Sequence, residues 1–122
     1  MKFAQDSQDE GYFITSYDEN SVSINGKPFQ TSLIISSRRL EEDWSLNAIE
    51  HLSDTHIESI LLFKPELIII GTGKKLLFPA VETYSRAIRH GIGIDFMDTG
   101  AACRTYNILM SENRNVVAGL IL

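Results

Sequence analysis

Apolar and polar positions recur with two different periods along this chain. Near the amino end the period is two. Tyr12-Phe13-Ile14-Thr15 is a short β-type run, and Ser21-Val22-Ser23-Ile24 alternates polar with apolar as a half-buried strand does. Asp18-Glu19-Asn20 between them reads as a turn. Asn25-Gly26 is a strong hairpin signal, because both residue types tolerate positive φ. Thr31 to Ile35 predicts a third strand, so the first third reads as a β-meander. Residues 1–10 are polar and are expected to form a flexible N-terminus, with 11–122 as a single α/β domain.

Past the middle the period lengthens. Residues 36–52, around Trp44 and Leu46, follow neither template. Thr55 and Glu58 have the spacing of a capping box, with Ile57, Ile60 and Leu61 following at helical intervals. Lys64-Pro65 ends that helix, since the residue before a proline leaves the α region. Leu67-Ile68-Ile69-Ile70 is short, β-branched and uninterrupted, the pattern of a strand covered on both faces. A second helix is expected from Pro79, with Val81, Tyr84, Ala87 and Ile88 as its apolar side and His90-Gly91 as its end. Ile92 to Met97 predicts the next strand. Asp98 or Thr99 then caps a third helix carrying Ala102, Tyr106 and Leu109 on one face, although Thr105–Met110 with Val116 onward could form a hairpin instead. Val116 to Leu122 predicts a last buried strand.

The order is three strands, then helix and strand in alternation. That order implies an α/β fold: a three-layer single domain with a mixed, largely parallel sheet flanked by helices and an N-terminal β-meander.

Composition narrows the function classes. The chain has 122 residues, is 43% hydrophobic and 22% charged, and has a net charge of −5. Those values are globular, and a net acidic chain lacks the basic stripe that nucleic-acid binding requires. The acidic surplus sits in residues 1–60, which hold four Lys/Arg against eleven Asp/Glu; residues 61–122 hold seven against five. One cysteine excludes an intramolecular disulfide and a cysteine-based zinc site. No secretory signal, transit peptide or membrane-length apolar run is visible, so a cytoplasmic protein that does not span a membrane is expected.

Several groups of residues bear on chemistry. Gly71-Thr72-Gly73-Lys74-Lys75 follows a strand directly. If the strands ending at Ile70 and Met97 are parallel, this turn shares the carboxyl edge of the sheet with the start of the third helix, where open α/β sheets bind ligands. Backbone N–H groups with Thr72, Lys74, Lys75, Thr99, Arg104 and Asn107 could hold a small anion there. The same turn also reads as a tight connection that needs permissive glycine. Nucleotide fingerprints fail: Leu76 stands where G-x-G-x-x-G needs glycine, and Ile68 and Lys75 break a P-loop. Asp95 and Asp98 point to opposite faces if both lie on a strand. His51 and His56, five apart, are poorly placed to share a metal. Cys103 near a helix start and beside Arg104 could be activated, or could be core filler. No catalytic constellation, metal site or cofactor motif is readable.

The run Pro65-Glu66-Leu67-Ile68-Ile69-Ile70-Gly71-Thr72-Gly73, then Pro79, Gly91-Ile92, Met97-Asp98-Thr99, Ala102, Asn107 and Glu112-x-Arg114 before an apolar end resembles a known small-domain family. That family includes mitochondrial complex I assembly factor three and the adipogenesis-associated protein of the same domain type, and this chain resembles a prokaryotic member. The resemblance covers residue 11 to the C-terminus and implies helices on a mixed sheet with extra β-structure. It also implies a non-enzymatic binding module, an assembly or accessory factor whose partner is a respiratory or membrane protein complex. A small-anion or small-molecule binder or enzyme, using Gly71–Lys75 and the helix start near Thr99, is the competing expectation.

Overall fold

A computed structural model describes residues 11–122; the expected flexible segment 1–10 lies outside the described residues. Eight strands form two sheets. β1 (Ile14–Tyr17), β2 (Val22–Ile24) and β3 (Lys27–Phe29) make a small antiparallel sheet. The larger sheet has the order β5-β4-β8-β6-β7, from β4 (Leu33–Ile35), β5 (Leu40–Glu41), β6 (Leu67–Gly71), β7 (Gly93–Met97) and β8 (Val116–Leu120). β6 runs parallel to β7 and to β8, whereas β4 pairs antiparallel with β8 and β5.

Three helices cover the larger sheet: α1 (Asp54–Leu61), α2 (Ser85–Arg89) and α3 (Thr99–Ser111). Side chains alternate across a strand, so β6 sends Ile69 to one face and Ile68 and Ile70 to the other. The Ile69 face packs against α3, through Ala102, Cys103 and Tyr106, and against Ile14, Val22, Ile24 and Phe29 of the small sheet. The opposite face packs against Ile57 and Ile60 of α1, Ala87 of α2, and Trp44, Leu46 and Ile49. The fold is therefore the expected three-layer α/β arrangement, with its mixed sheet buried between the two outer layers.

Three local expectations are corrected. The third strand of the meander is Lys27–Phe29, formed directly by the Asn25-Gly26 hairpin (φ 51° and 87°), while Leu33–Ile35 belongs to the larger sheet. The cap of α1 is Ser53 rather than Thr55. The Ser53 side chain meets the His56 backbone while His56 Nδ1 accepts from the Ser53 N–H at 3.0 Å, a capping box in which histidine takes the acidic position. The second helix opens as a 3-10 turn over Val81–Tyr84 and becomes α-helical only at Ser85; Val81 and Ile88, assigned to its apolar side, remain half exposed. Residues 36–52, which follow neither template, contribute β5, a 3-10 turn over Ile49–His51, and four buried hydrophobic side chains, Trp44, Leu46, Ile49 and Leu52. Of the two readings open after Thr99, the helix is found, with Asp98 Oδ1 accepting from the Ala101 N–H at 2.9 Å.

Candidate functional site

The carboxyl ends of β6, β7 and β8 lie on one edge of the larger sheet. The chain leaves β6 on the α2 side, returns in β7, and crosses by α3 on the opposite face to β8, so β6 sits at a switch in connection direction. Ligands of open α/β sheets bind outside such strand ends. Gly71, Thr72, Gly73 and Thr99 meet here.

Their polar atoms bind one another. Gly73, at φ 103°, donates its N–H to Thr99 Oγ1 at 2.8 Å and accepts the Thr99 N–H at 2.9 Å. Thr99 Oγ1 in turn donates to the Ile121 carbonyl at 2.8 Å. The Thr72 N–H donates to the Met97 carbonyl at 2.8 Å, while its hydroxyl donates to the Lys75 carbonyl at 2.5 Å and accepts from the Leu77 N–H at 3.3 Å. Gly71 accepts the Ile121 N–H at 3.0 Å. The N-terminus of α3 is closed by a carboxylate of the chain itself, Asp98.

The remaining candidate residues divide. Lys74 Nζ lies 3.1 Å from Glu19 in an exposed ion pair, worth little in water, and the Lys75 side chain is exposed. Arg104 Nη1 donates to the Tyr17 hydroxyl, and its guanidinium sits 5.9 Å from the centre of the Tyr17 ring. Asn107 lies two turns into α3, away from the edge. Its amide donates to the Ile14 carbonyl at 2.7 Å and its oxygen accepts the Ile14 N–H at 3.0 Å, so it pairs with β1 as a neighbouring strand would.

A groove of about 690 Å³ runs over this edge, with Ile49, Ile121 and Leu122 among its apolar lining residues. Asp18, Glu19, Glu50 and Asp98 line it against one cation, Lys74. Asp18 is held below its ordinary value of 3.8, first by the Asn20 N–H and then by the Ser21 hydroxyl, so it keeps its charge in moderately acidic solution. The lining is therefore acidic on balance. The larger groove, about 1340 Å³, lies toward the amino ends of β6 and β8 and is lined by Arg38, Arg39, Lys64 and Arg114 with Phe63 and Met110. Its cations come from separated sequence positions, so no local motif marks it. Arg39 stacks over Phe63 at 4.4 Å from the ring centre.

Other chemical candidates are occupied structurally. Burial pushes the Cys103 thiol up to about 12, far from a nucleophilic thiolate; Arg104 opposes that rise and Asp98 adds to it. Asp95 accepts the N–H of Phe96 at 2.9 Å. His56 Nε2 lies 3.0 Å from the Ser45 carbonyl, completing the bridge begun by Nδ1. Among the described residues no cluster of three or more His, Cys, Asp or Glu is placed to hold a metal, and no helix is long and apolar enough to cross a membrane.

Fold and edge together define a small three-layer α/β protein whose switch-point turn is sealed by its own hydrogen bonds. The chain belongs to the family described as Protein of unknown function (DUF498/DUF598), whose pattern matches residues 14–121. A Francisella tularensis protein named 13 kDa major membrane protein is 36% identical over 105 residues, with 85% of each chain covered. The Xenopus tropicalis NADH dehydrogenase [ubiquinone] 1 alpha subcomplex assembly factor 3 is 29% identical over 119 residues, covering 92% of this chain but only 62% of that protein. A crystal structure of a Bordetella parapertussis protein superposes with a TM-score of 0.85 at 28% identity, covering 90% of this chain and 94% of the other.

Proposed function

We propose that this chain is a non-enzymatic binding module that serves as an assembly or accessory factor for a respiratory or membrane protein complex. The observation that carries the reading is the consumption of the switch-point polar atoms by one another. The groups best placed to hold a small ligand, the Gly73 N–H, the Thr99 hydroxyl and the start of α3, are engaged with Thr99, Ile121 and Asp98. What is left over for recognition is surface: an acidic groove at one end of the sheet, a basic one at the other, and exposed apolar side chains. Such surfaces suit a protein partner better than a small substrate. The relatedness to an assembly factor of NADH dehydrogenase supports the same direction. The anion-binding alternative gains no support from a groove carrying four carboxylates against one lysine.

The test is cross-linking and affinity capture of the tagged full chain from its native cell, beside a tagged control of equal size. Reproducible enrichment of subunits of a respiratory NADH dehydrogenase or another membrane complex is expected, together with a lower level of that complex on native gels when the chain is deleted. An unchanged complex with no enriched subunit overturns the proposal.

A further inference from the structure

Among the described residues β7 is the last strand of the larger sheet, and only β6 pairs with it. In a parallel pair, alternate residues turn both backbone groups toward the neighbour. The Met97 carbonyl accepts from Thr72, on the β6 side, so Gly93, Asp95 and Met97 face β6 while Ile94 and Phe96 turn theirs to the open side. The Phe96 N–H is taken by the Asp95 carboxylate, and the Ile92 N–H donates to the Ala87 carbonyl. Ile94 alone therefore offers both an N–H and a carbonyl to an incoming strand.

Exposed apolar side chains are concentrated in the segment between β6 and β7, and one of them, Phe78, lies against this strand. Of the eight large hydrophobic residues left exposed among the described residues, five fall between 76 and 88: Leu76, Leu77, Phe78, Val81 and Ile88. Phe78 is 71% exposed and packs edge-on against Phe96 at 6.4 Å between ring centres. Ile92 and Ile94, half buried, lie on the same face of the sheet. Exposed apolar side chains beside an unpaired strand edge are the kind of surface on which a further strand pairs.

We propose that the occupant is a second copy of this chain, paired β7 to β7 about a two-fold axis through Ile94. In an antiparallel hydrogen-bonded pair the two facing residues exchange both of their bonds, which matches the one residue whose two groups are open. This register sets Asp95 against Gly93 of the second copy, which has no side chain to obstruct it, and keeps the two Asp95 carboxylates from facing each other. It also sets Phe96, with Phe78 on it, opposite Ile92 of the second copy, so each copy covers the apolar edge of the other. A continuous ten-stranded sheet results. Pairing through one short strand and its flanking side chains makes an interface at the low end of stable sizes, so the dimer forms in a concentration-dependent way.

The test is sedimentation equilibrium of the full chain across the micromolar to millimolar range, with amide exchange of Ile94 followed over the same concentrations. A monomer–dimer equilibrium is expected, with Ile94 N–H protection rising as dimer forms. Phe78→Asp should weaken the dimer at least tenfold, whereas Ile108→Asp, at an exposed apolar position on α3, should leave it unchanged. Ile94→Pro removes the outward donor together with the half-buried Ile94 side chain and should abolish dimerisation, with circular dichroism reporting whether that variant remains folded. A chain that stays monomeric throughout overturns the proposal. So does a dimer in which Ile94 exchange is independent of concentration, or one that Ile108→Asp weakens as much as Phe78→Asp. None of these outcomes bears on the assembly role, which is read from captured subunits.

Discussion

Trp44 occupies the space that a side chain on Gly119 would need. A Cβ at Gly119 would stand 2.6 Å from Trp44 Cη2 and 2.7 Å from Cζ3, with Ile60 Cδ1 at 3.3 Å. Gly119 lies in β8 between β4 and β6, so the indole of an irregular segment is packed directly onto the middle of the larger sheet. Neither side has room to yield, because Trp44 is itself buried. Gly119→Ala should cost about 1–3 kcal/mol, the usual range for overpacking a core. Thermal unfolding would register this as a fall of several degrees. Trp44→Phe placed on top of Gly119→Ala should destabilise less than the two separate losses together, since the smaller ring removes the collision.

Thr99 joins the β6 turn to the C-terminal strand through one oxygen. That oxygen accepts the Gly73 N–H and donates to the Ile121 carbonyl, both at 2.8 Å. Thr99→Val keeps the shape and deletes both bonds, leaving a part-buried N–H and a buried carbonyl without their partner. The expected loss is about 1–3 kcal/mol. Faster amide exchange at Gly73 should accompany it. Thr99→Ser retains the hydroxyl and should restore slow exchange; equal exchange in both variants would assign the loss to packing.

The contrast between Ile68 and Trp44 explains what could be read from the chain alone. Ile68 belongs to a local run whose composition, length and terminating glycine suffice to identify a buried strand, and β6, β7, β8 and α3 were legible in the same way. Trp44 is buried by residues distant in sequence, Gly119 and Ile60, and no local period announces that. β3 contains Pro28, a residue that argues against a central strand, and it sits on the edge of the small sheet, where a missing donor is tolerated. At the candidate edge, the meeting of Gly71–Gly73 with Thr99 hung on the strands ending at Ile70 and Met97 being parallel, a condition that alternation of helix and strand suggests and that β6 and β7 meet, while the order of the strands was not legible. What their polar atoms bind did not follow, because the Ile121 carbonyl and the Asp98 cap are tertiary facts. Asn107 is the clearest case: a helical asparagine that reads as a ligand residue bridges the backbone of Ile14, 93 residues away.

Arg86 of α2 grips Asp54 at the start of α1. Its Nη2 lies 2.6 Å and its Nε 3.0 Å from the two carboxylate oxygens, a bidentate arrangement. The hydrogen bond from Arg86 is the main reason the Asp54 carboxyl is held below its ordinary 3.8, and Arg86 is raised in return. A carboxyl depressed in the folded state contributes stability above its unfolded value and loses it as pH falls through the folded one. The contribution should therefore be complete above about pH 4–5 and disappear below the ordinary carboxylate range. Melting temperatures of the parent chain and Asp54→Asn should differ near neutrality and converge in acid. A constant difference down to pH 2 would mean that the asparagine acts through the helix start rather than through charge. High salt should shrink the neutral-pH difference, because the pair is exposed.

Cys103 and Tyr106 stand in the α3 layer and report alkaline stability. Burial raises the Cys103 thiol to about 12 from its ordinary 9.0, and burial also raises the Tyr106 phenol, which donates to the Tyr12 carbonyl at 2.7 Å. For an acid raised in the folded state, the contribution is present below the unfolded value and is lost as pH climbs through the folded one. Stability should therefore decline from about pH 9 upward, as the unfolded chain loses protons that the native core retains. Cys103→Ala removes one of the two groups and should flatten that decline without abolishing it; the Tyr106 share remains. At pH 8 a thiol-specific reagent should label Cys103 only as fast as the chain opens, with urea accelerating the reaction along the unfolding transition. Rapid labelling in native buffer would mean that α3 separates from the sheet locally, and the Cys103 share of the alkaline decline would then shrink.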